Sequence, residues 1–445
     1  MIKTFLTLSF ILLFLQGYAT NVSGLISANT TWTKANSPYI VTGNIAIDTP
    51  ATLTIEPGVE VRFDGAYIMY VYGRIIADGN VADSIMFTSN KTAPKSGDWK
   101  GIEVFYSKAN DTLVFDYCSF KHSDDAALYV RSNCVKLTNS TFSNNKTGFK
   151  NLSQPNAFAF ISNCTFHNNT TAIHLGGPAI AENNNIGYND WGINNTGPNC
   201  IAKNNKVYFN AYGIIGPIHI EGNTVAYSTI LGVEGRGTVT QNQIWYNKIG
   251  LRHLGGNLVE KNGFKHNYIA INGDYSVNPT HNLNNNCISN STSYDYVNYS
   301  TFSADISQNY WGTTDSLTIS TRIFDFYDNL TSGKSAFMPP LQDKDLGCLD
   351  TISLPIPITT SINEAINILN NNVIAYPNPA TDNITFTCGK RIDMVVLYDM
   401  TGKEVYRQQC SSNAVSINTS AFVAGIFTYK IITESNAVSG KFVKQ

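Results

Sequence analysis

The chain has 445 residues and a formal net charge of −2, with 14% charged and 12% aromatic residues. This length predicts two to four domains and a large buried core. The near-neutral charge argues against a nucleic-acid-binding protein, because such proteins carry dense basic patches.

Residues 1–19, "MIKTFLTLSFILLFLQGYA", contain Lys3, an apolar run and small residues before Ala19. This pattern predicts a signal peptide that is removed after Ala19. The apolar run is too short to span a bilayer, and no later stretch is long enough. We therefore expect a mature chain without a transmembrane span.

The sequence of residues 20–114 predicts an N-terminal cap and the first coils of a repeat. The stretch "SPYIVTGNIAIDTPATLTIEPGVEVRF" (37–63) alternates apolar and polar residues and turns at Glu56-Pro57-Gly58. It leads into "IMYVYGRIIADG" and "DSIMFTSN", which predict further short strands punctuated by turns.

Residues 115–347 contain an internal repeat, seen in "TFHNNTTAI" (165–173), "NIGYNDWGI" (185–193) and "QIWYNKIGL" (243–251). A period near twenty residues is typical of a solenoid. Leucine-rich repeats are set aside because the coils contain Ile, Val and Phe with almost no Leu. Short strands between Asn and Gly turns instead predict a parallel β-helix. The apolar anchors of the frame are Phe142, Phe166, Ile186, Val207, Val225, Ile244 and Phe264.

The fifth position of the frame is an asparagine column. Stacked in register, each side-chain amide can donate to the oxygen of the next Asn, so the column predicts a structural ladder. Ser228 interrupts it. The members are Asn145, Asn169, Asn189, Asn210, Asn247 and Asn267.

The opening stretches and "GDWKGIEVF" (97–105) resemble the first coils of secreted right-handed β-helix proteins of Bacteroidetes. The repeats at 115–290 are similar to those of polysaccharide lyases, pectin-degrading hydrolases and copper-site maturation proteins. "QNYWGTTD" (308–315) resembles the closing coil of the same group. The resemblance implies an all-β fold of the pectin lyase-like type, with a right-handed parallel β-helix.

Residues 348–372 have spaced prolines and no repeat frame, which predicts a linker. Residues 373–445 alternate in strand fashion between turns and predict a small antiparallel β-sandwich. "YPNP", "LYDMTGKEV" and "AGIFTYKI" in this part resemble the type IX secretion C-terminal sorting domain. The resemblance implies the type IX machinery as a partner, passage through the periplasm, and surface attachment or release. The matching sorting-signal residues are Tyr376, Pro377, Asn378, Pro379, Gly402, Gly425, Lys441, Val443 and Lys444.

The eight cysteines show neither a compact disulfide framework nor a metal-ligand spacing. We expect most of them to fill core or turn positions. Cys388 and Cys410 in the last domain are the pair expected to form a disulfide.

Catalytic residues are hard to assemble from the repeat. Asp124-Asp125 faintly resembles the paired Asp of pectin hydrolases, but a turn pair is the preferred interpretation. Strand alternation places Lys150, His174 and Arg252 outward on one face, and Arg252 lies four coils beyond His174, about 19 Å away. We expect no cofactor and no metal, with Ca²⁺ required only if the protein is a lyase.

Glycan binding is suggested by charge and by aromatic residues. Residues 131–300 hold eleven Lys or Arg and seven Asp or Glu, a net charge of +4 that favours an acidic polysaccharide. Exposed aromatic residues are expected at Trp191, Tyr208, Tyr212 and Trp245, with Arg252 as a further glycan contact. An aromatic column is expected as a core or turn stack, with a sugar platform as the alternative: Tyr188, Phe209, Tyr227, Tyr246 and His266.

Three functions fit the sequence. The first is a secreted or cell-surface β-helix that binds polysaccharide or acts as an adhesive scaffold. The second is a polysaccharide lyase or glycoside hydrolase on the β-helix, and the third is a purely structural envelope protein.

Overall fold

The computed structural model divides into two compact units, with the boundary between Leu354 and Pro355. The predicted signal peptide and most of the predicted linker lie outside the described residues. The structure describes residues 19–105, 112–131, 134–152, 158–216, 218–235, 237–255, 258–275, 283–342, 348–354, 374–376, 380–399, 403–433 and 436–444.

The first unit is a parallel β-helix with three strands per coil, which confirms the prediction. We number the faces in the order in which the chain meets them in each coil. Face 1 is an 11-stranded parallel sheet. Its strands are Thr30–Trp32, Thr52–Ile55, Arg74–Asp78, Thr112–Asp116, Cys134–Thr138, Phe158–Ser162, Ala179–Glu182, Cys200–Lys203, Ile218–Glu221, Val239–Thr240 and Val259–Glu260.

Face 2 contains the apolar anchors of the repeat. The anchors are register partners from coil to coil, and all are fully buried because strand alternation turns them inward. The strands of face 2 are Glu60–Phe63, Ile85–Ser89, Cys118–Lys121, Thr141–Ser143, Thr165–His167, Asn185–Gly187, Lys206–Tyr208, Thr224–Ala226, Gln243–Trp245, Gly263–Lys265 and Cys287–Ser289.

Face 3 completes each coil. It is joined to face 2 in one 25-stranded sheet, because Tyr39–Ile47 pairs with strands of both faces and with Thr20–Ile26. The strands of face 3 are Ile68–Val71, Gly101–Val104, Ala126–Val130, Thr147–Asn151, Thr171–Leu175, Trp191–Asn195, Tyr212–Ile215, Leu231–Gly235, Ile249–His253, Ile269–Gly273, Tyr294–Asn298 and Ile323–Phe324.

Short elements flank the coils. A 3₁₀ helix spans Lys34–Asn36 and an α-helix spans Ser316–Ser320, whose N-cap Asp315 accepts a hydrogen bond from the Thr318 amide at 2.9 Å. Ala304–Asp305 and Ser335–Ala336 form a small parallel pair near the last coil. In the described part of the chain, no helix is long and apolar enough to cross a membrane.

The predicted asparagine ladder is confirmed at the corner between faces 2 and 3. The Nδ2 group of Asn145 donates to Oδ1 of Asn169 at 3.1 Å, and Asn169 repeats the bond to Asn189 at 3.0 Å. The same oxygen also accepts from the backbone amide of the preceding ladder residue. Each Asn therefore satisfies a buried backbone donor as well as its neighbour's side chain.

A second ladder, which the sequence analysis did not identify, lies at the corner between faces 1 and 2. Its Asn residues repeat the same two hydrogen bonds from coil to coil. Where both ladders are present, two of the three turns of a coil are thus stabilised by stacked amides. The members are Asn184, Asn205, Asn223, Asn242, Asn262, Asn286 and Asn309.

The second unit is a small antiparallel β-domain, as predicted. Register shifts interrupt the pairing of its two longest strands, and its side chains enclose a separate core that includes Phe386, Leu397 and Phe427. Its strands are Ile374–Tyr376, Asn383–Tyr398, Glu404–Asn418, Gly425–Thr433 and Asn436–Lys444.

The described sorting-signal residues of this unit lie within strands or at their ends. Tyr376 ends the first strand, Gly425 begins the fourth, and Lys441, Val443 and Lys444 lie in the last. Pro377, Asn378, Pro379 and Gly402 lie outside the described residues.

The disulfide expectation is wrong. Cys410 has a free thiol, so it does not form the expected bond to Cys388. The structure instead joins Cys287 on face 2 to Cys348, with a Cα–Cα distance of 5.4 Å. This bond fixes the end of the first unit to face 2. The buried thiols of Cys118, Cys164 and Cys200 fill core positions, as expected.

Candidate functional site

One outward column of face 3 brings aromatic and ionisable side chains together in five consecutive coils. Tyr70, Glu103, Tyr129, Lys150 and His174 are register partners in that order. Their neighbours in each strand point into the core, so these side chains point outward. At about 4.8 Å per coil, the five positions extend over about 19 Å.

The N-terminal part of this column opens into a depression of about 340 Å³. We call it the face-3 depression. Its walls combine aromatic rings, an aliphatic floor and charged side chains, a combination typical of small-ligand sites. The residues that line it are Asn44, Ala66, Ile68, Tyr70, Lys100, Gly101, Ile102, Glu103, Asp125, Ala126, Tyr129 and Arg131.

An aromatic cluster adjoins the face-3 depression. The rings of Tyr72 and Phe105 stack with centroids 5.1 Å apart, and Tyr70 lies 6.1 Å from Tyr72. The guanidinium of Arg131 lies 5.4 Å from the centre of Phe105 and 4.5 Å from that of Tyr129. Tyr72 remains 45% exposed, so one ring of the cluster is open to a ligand.

The charged groups of the depression are held in ion pairs. Arg131 binds Glu103 and Lys100 binds Asp124, each through a short hydrogen bond. Lys150 Nζ lies 3.9 Å from Asp125 and 4.5 Å from the centre of the Tyr129 ring. These pairs fix the positions of the cations at the rim.

The candidate catalytic residues do lie near one another, but the protonation of Asp124 and His174 does not suit an acid–base pair. The hydrogen bond from Lys100 lowers the pKa of Asp124, so its carboxyl stays ionised at neutral pH. Burial, and secondarily the charge of Lys150, lower the pKa of His174, so its imidazole is neutral. A hydrolase would need a protonated carboxyl opposite an ionised one.

The ionisable groups of the described residues are not arranged as a metal site. Among the described residues, no group of three or more His, Cys, Asp or Glu side chains is placed to hold a metal ion.

Arg252, expected as a glycan contact, lies between Glu234 at 3.0 Å and Asp274 at 2.6 Å. Its charge is therefore already balanced within the protein.

Two of the four aromatic candidates are on face 3. Trp191 and Tyr212 are register partners whose rings stack with centroids 4.1 Å apart and planes 13° apart. Both are half-buried. They continue the outer surface of face 3 beyond His174.

The expectation that Tyr208 and Trp245 are exposed is wrong, since they are only 5% and 2% exposed. The Tyr208 ring lies flat over Gly187, where an added Cβ would come within 2.4 Å of it. Trp245 lies under Lys265, whose Nζ is 5.2 Å from the indole and also contacts Leu349. Both rings are therefore covered on face 2.

The aromatic column Tyr188, Phe209, Tyr227, Tyr246 and His266 forms a turn stack, in agreement with the preferred interpretation. Successive ring centroids are 5.2, 4.7, 5.0 and 4.9 Å apart. The rings cover one another's faces, so only edges are available to solvent along the column. A platform for sugar rings, which requires open faces, is not formed there.

Of the residues that line the face-3 depression, sequence reasoning singled out only Asp125. It missed Tyr70, Glu103, Tyr129 and Arg131, which precede Phe142, the first anchor of the frame. The available signal was strand alternation in "IMYV" (68–71), "GIEV" (101–104) and "AALYV" (126–130), which places Tyr70, Glu103 and Tyr129 outward.

Three family models match the chain. Residues 24–113 match the pectate-lyase like beta helix domain, and residues 100–225 match the right handed beta helix region. Residues 374–445 match the secretion system C-terminal sorting domain. The chain has no match among the curated proteins.

The coils, ladders and family matches define a right-handed parallel β-helix of the pectate-lyase-like type. Because a sorting domain for type IX secretion follows it, the chain is a secreted β-helix protein with a C-terminal sorting tail.

Proposed function

We propose that the exported β-helix binds an acidic polysaccharide on face 3 and does not cleave it. The observation that carries the proposal is the face-3 depression, where Tyr129 lies between the cationic groups of Arg131 and Lys150 at 4.5 Å each. The depression places aromatic surface and positive charge side by side. These are the two features that a sugar ring with a carboxylate requires.

The aromatic part of the site would receive the apolar face of a sugar. Tyr72 is the exposed member of the cluster, and its stacking on Phe105 restricts its motion. A fixed ring loses little conformational entropy on binding, which favours affinity.

The exposure of two of the ion pairs favours an anionic ligand. The side chain of Arg131 is 39% exposed against 10% for Glu103, and that of Lys100 is 47% exposed against 31% for Asp124. In the third pair the carboxylate is the more accessible partner, since Asp125 is 59% exposed against 27% for Lys150. An approaching carboxylate would therefore meet positive charge first at Arg131 and Lys100 and share each cation with the carboxylate beneath it.

The protonation of the cluster argues against turnover. Asp124 is ionised and His174 is neutral, so neither supplies the acid that glycosidic cleavage needs. A lyase alternative rests on Lys150 as base and on Ca²⁺, and it would be revealed by unsaturated products.

The test is binding and turnover measured together on the purified full chain. Affinity electrophoresis against uronate-containing and neutral polysaccharides should show retardation by the acidic polymers only, weakening as salt is raised. Tyr72→Ala and Arg131→Gln should each weaken binding about tenfold or more, as expected for truncation of a central contact.

Matched controls come from outside face 3. Tyr327→Ala removes a more exposed ring near the C-terminal end of the β-helix, and Lys203→Gln removes a cation that pairs with Glu221 on face 1. Both should bind like the wild type. Equal loss in controls and site variants would reject the site, and product release abolished by Lys150→Gln would make the protein a lyase.

A further inference from the structure

The corner between faces 2 and 3 presents a continuous row of aromatic rings to solvent. We call Tyr188, Phe209, Tyr227, Tyr246 and His266 the aromatic ladder. Phe209, Tyr227 and Tyr246 are 43%, 36% and 42% exposed, and Ile230 and Tyr268 beside them are also exposed. A contiguous apolar strip on an outer corner marks an interaction surface.

The turn itself does not call for aromatic residues. All five ladder residues adopt a left-handed backbone, with φ between 53° and 60°. Asn is among the few side chains that tolerate this conformation well, and Asn144, Asn168 and Asn290 occupy the same position in neighbouring coils. Aromatic residues there run against the local preference in five consecutive coils. The row therefore points to a role outside the turn.

The ladder restricts which partner can bind. Its rings stack with planes 3° to 21° apart, so edges face outward along the corner. Sugar rings need open aromatic faces, whereas another row of side chains with the same spacing can pack against edges. A second copy of this chain carries such a row by construction.

We propose that two copies of the chain associate through their aromatic ladders in an antiparallel, two-fold arrangement. In a two-fold interface every contact of one residue with another is repeated with the two copies exchanged, and only a residue on the axis meets its own copy. Tyr227, the central rung, would then meet its own copy on the axis. Phe209 would meet Tyr246, and Tyr188 would meet His266.

Charge beside the ladder selects the antiparallel direction. Asp190 follows the first rung by two residues and Lys248 follows the fourth by two. Both are exposed, and neither forms an ion pair among the described residues. The antiparallel arrangement places Asp190 of one copy and Lys248 of the other on the same side of the ladder, offset by about one coil, about 4.8 Å along the helix axis. A parallel arrangement would oppose Asp190 to Asp190.

The size of the ladder sets the expected strength. Four intervals between five rungs give a row about 19 Å long. Unless flanking residues contribute, a row of this length that is one side chain wide buries less than the roughly 800 Å² per partner of a standard interface. The dimer is therefore weak and reversible, and it forms where the protein is concentrated.

Sedimentation velocity of the purified full chain over a concentration series tests the proposal. The expected result is a reversible monomer–dimer equilibrium. Tyr227→Asn should raise its dissociation constant about tenfold or more, as for a central contact. Asn occupies this turn position in other coils, so the fold is preserved. Tyr299→Asn, which removes an exposed ring off the ladder, should leave the equilibrium unchanged.

Charge reversal and cross-linking test the geometry. Asp190→Lys and Lys248→Asp should each weaken the dimer, and the double variant should restore it. With a short thiol cross-linker, the Tyr227→Cys variant should form a covalent dimer by itself. The Tyr188→Cys variant should form one only when it is mixed with the His266→Cys variant.

Several results would overturn the proposal. One is a chain that stays monomeric over the whole series. Another is a dimer unaffected by both Tyr227→Asn and charge reversal. A loss of polysaccharide binding in Tyr227→Asn with no change in association would assign the aromatic ladder to a glycan instead. None of these results bears on the face-3 depression, which has its own variants.

Discussion

Replacing Asn189 by leucine tests the asparagine ladder at its best-connected position. Oδ1 of Asn189 accepts from the backbone amide of Asn169 at 2.9 Å and from its Nδ2 at 3.0 Å. Its own Nδ2 donates to Oδ1 of Asn210 at 3.0 Å and to the carbonyls of Phe166 at 3.2 Å and Gly187 at 3.0 Å. Leucine has a similar size and none of these groups.

The cost follows from what is left unpaired. The backbone amide of Asn169 loses its acceptor in a buried position, which costs about 1–3 kcal/mol. Its Nδ2 keeps bonds to the carbonyls of Phe142 and His167, so that loss is smaller. The turn carbonyls that accept from the Asn189 side chain also lose this donor. Together, these losses should lower the free energy of unfolding by about 2–4 kcal/mol.

Tryptophan fluorescence during chemical unfolding measures this change selectively. All five tryptophans lie in the first unit, so the signal follows the β-helix and not the sorting domain. Asn194→Leu, at a half-buried outward position of face 3, is the control and should change stability by less than about 0.5 kcal/mol. An unfolding midpoint of Asn189→Leu equal to that of the wild type would refute the stabilising role of the ladder.

Three further outcomes are expected. Ser228→Asn should raise the free energy of unfolding by about 1 kcal/mol, because it supplies the missing amide of the ladder; a lower midpoint would contradict this. The pKa of Asp124 is lowered in the folded state by its hydrogen bond from Lys100. This bond therefore stabilises the folded state fully when the pH is above the ordinary pKa of 3.8, and the stabilisation is lost as the pH falls from 3.8 through the folded pKa. Asp124→Asn should therefore destabilise by about 1 kcal/mol or less at pH 7 and progressively less as the pH falls below 3.8, and an effect of unchanged size at low pH would contradict it. Deleting residues 373–445 should leave a folded β-helix that is retained in the cell. Equal amounts of the truncated and the full-length protein at the surface or in the medium, measured by fractionation, would contradict the sorting role.

The fold was largely predictable because the stacking requirement is local and periodic. Every coil must present an apolar residue inward and a turn residue at the corner, so Phe166, Ile186 and Asn189 recur at fixed offsets. The residues of the second ladder also recur at a fixed offset, two residues before the apolar anchor of their coil, as at Asn184 and Asn205. It was overlooked because Ser140 and Cys164 occupy the offset in earlier coils and resemble core filling.

The candidate site was much less predictable. Strands from coils of unequal length meet on face 3, so sequence spacing does not show that Glu103 lies beside Arg131 or Lys100 beside Asp124. Trp245 was expected to be exposed but is buried, because its burial depends on Lys265 and on a segment near Leu349. Contacts between distant segments decide which side chains are open to a ligand.

The most direct test of polysaccharide binding on face 3 is a lysine-acetylation footprint of the full chain, read by mass spectrometry with and without an acidic polysaccharide. The account predicts that the polymer protects Lys100, Lys146 and Lys150, which surround the face-3 depression, and leaves Lys203 and Lys261 on or beside face 1 unchanged. Uniform protection of all five, or none at a saturating concentration of polymer, would contradict it.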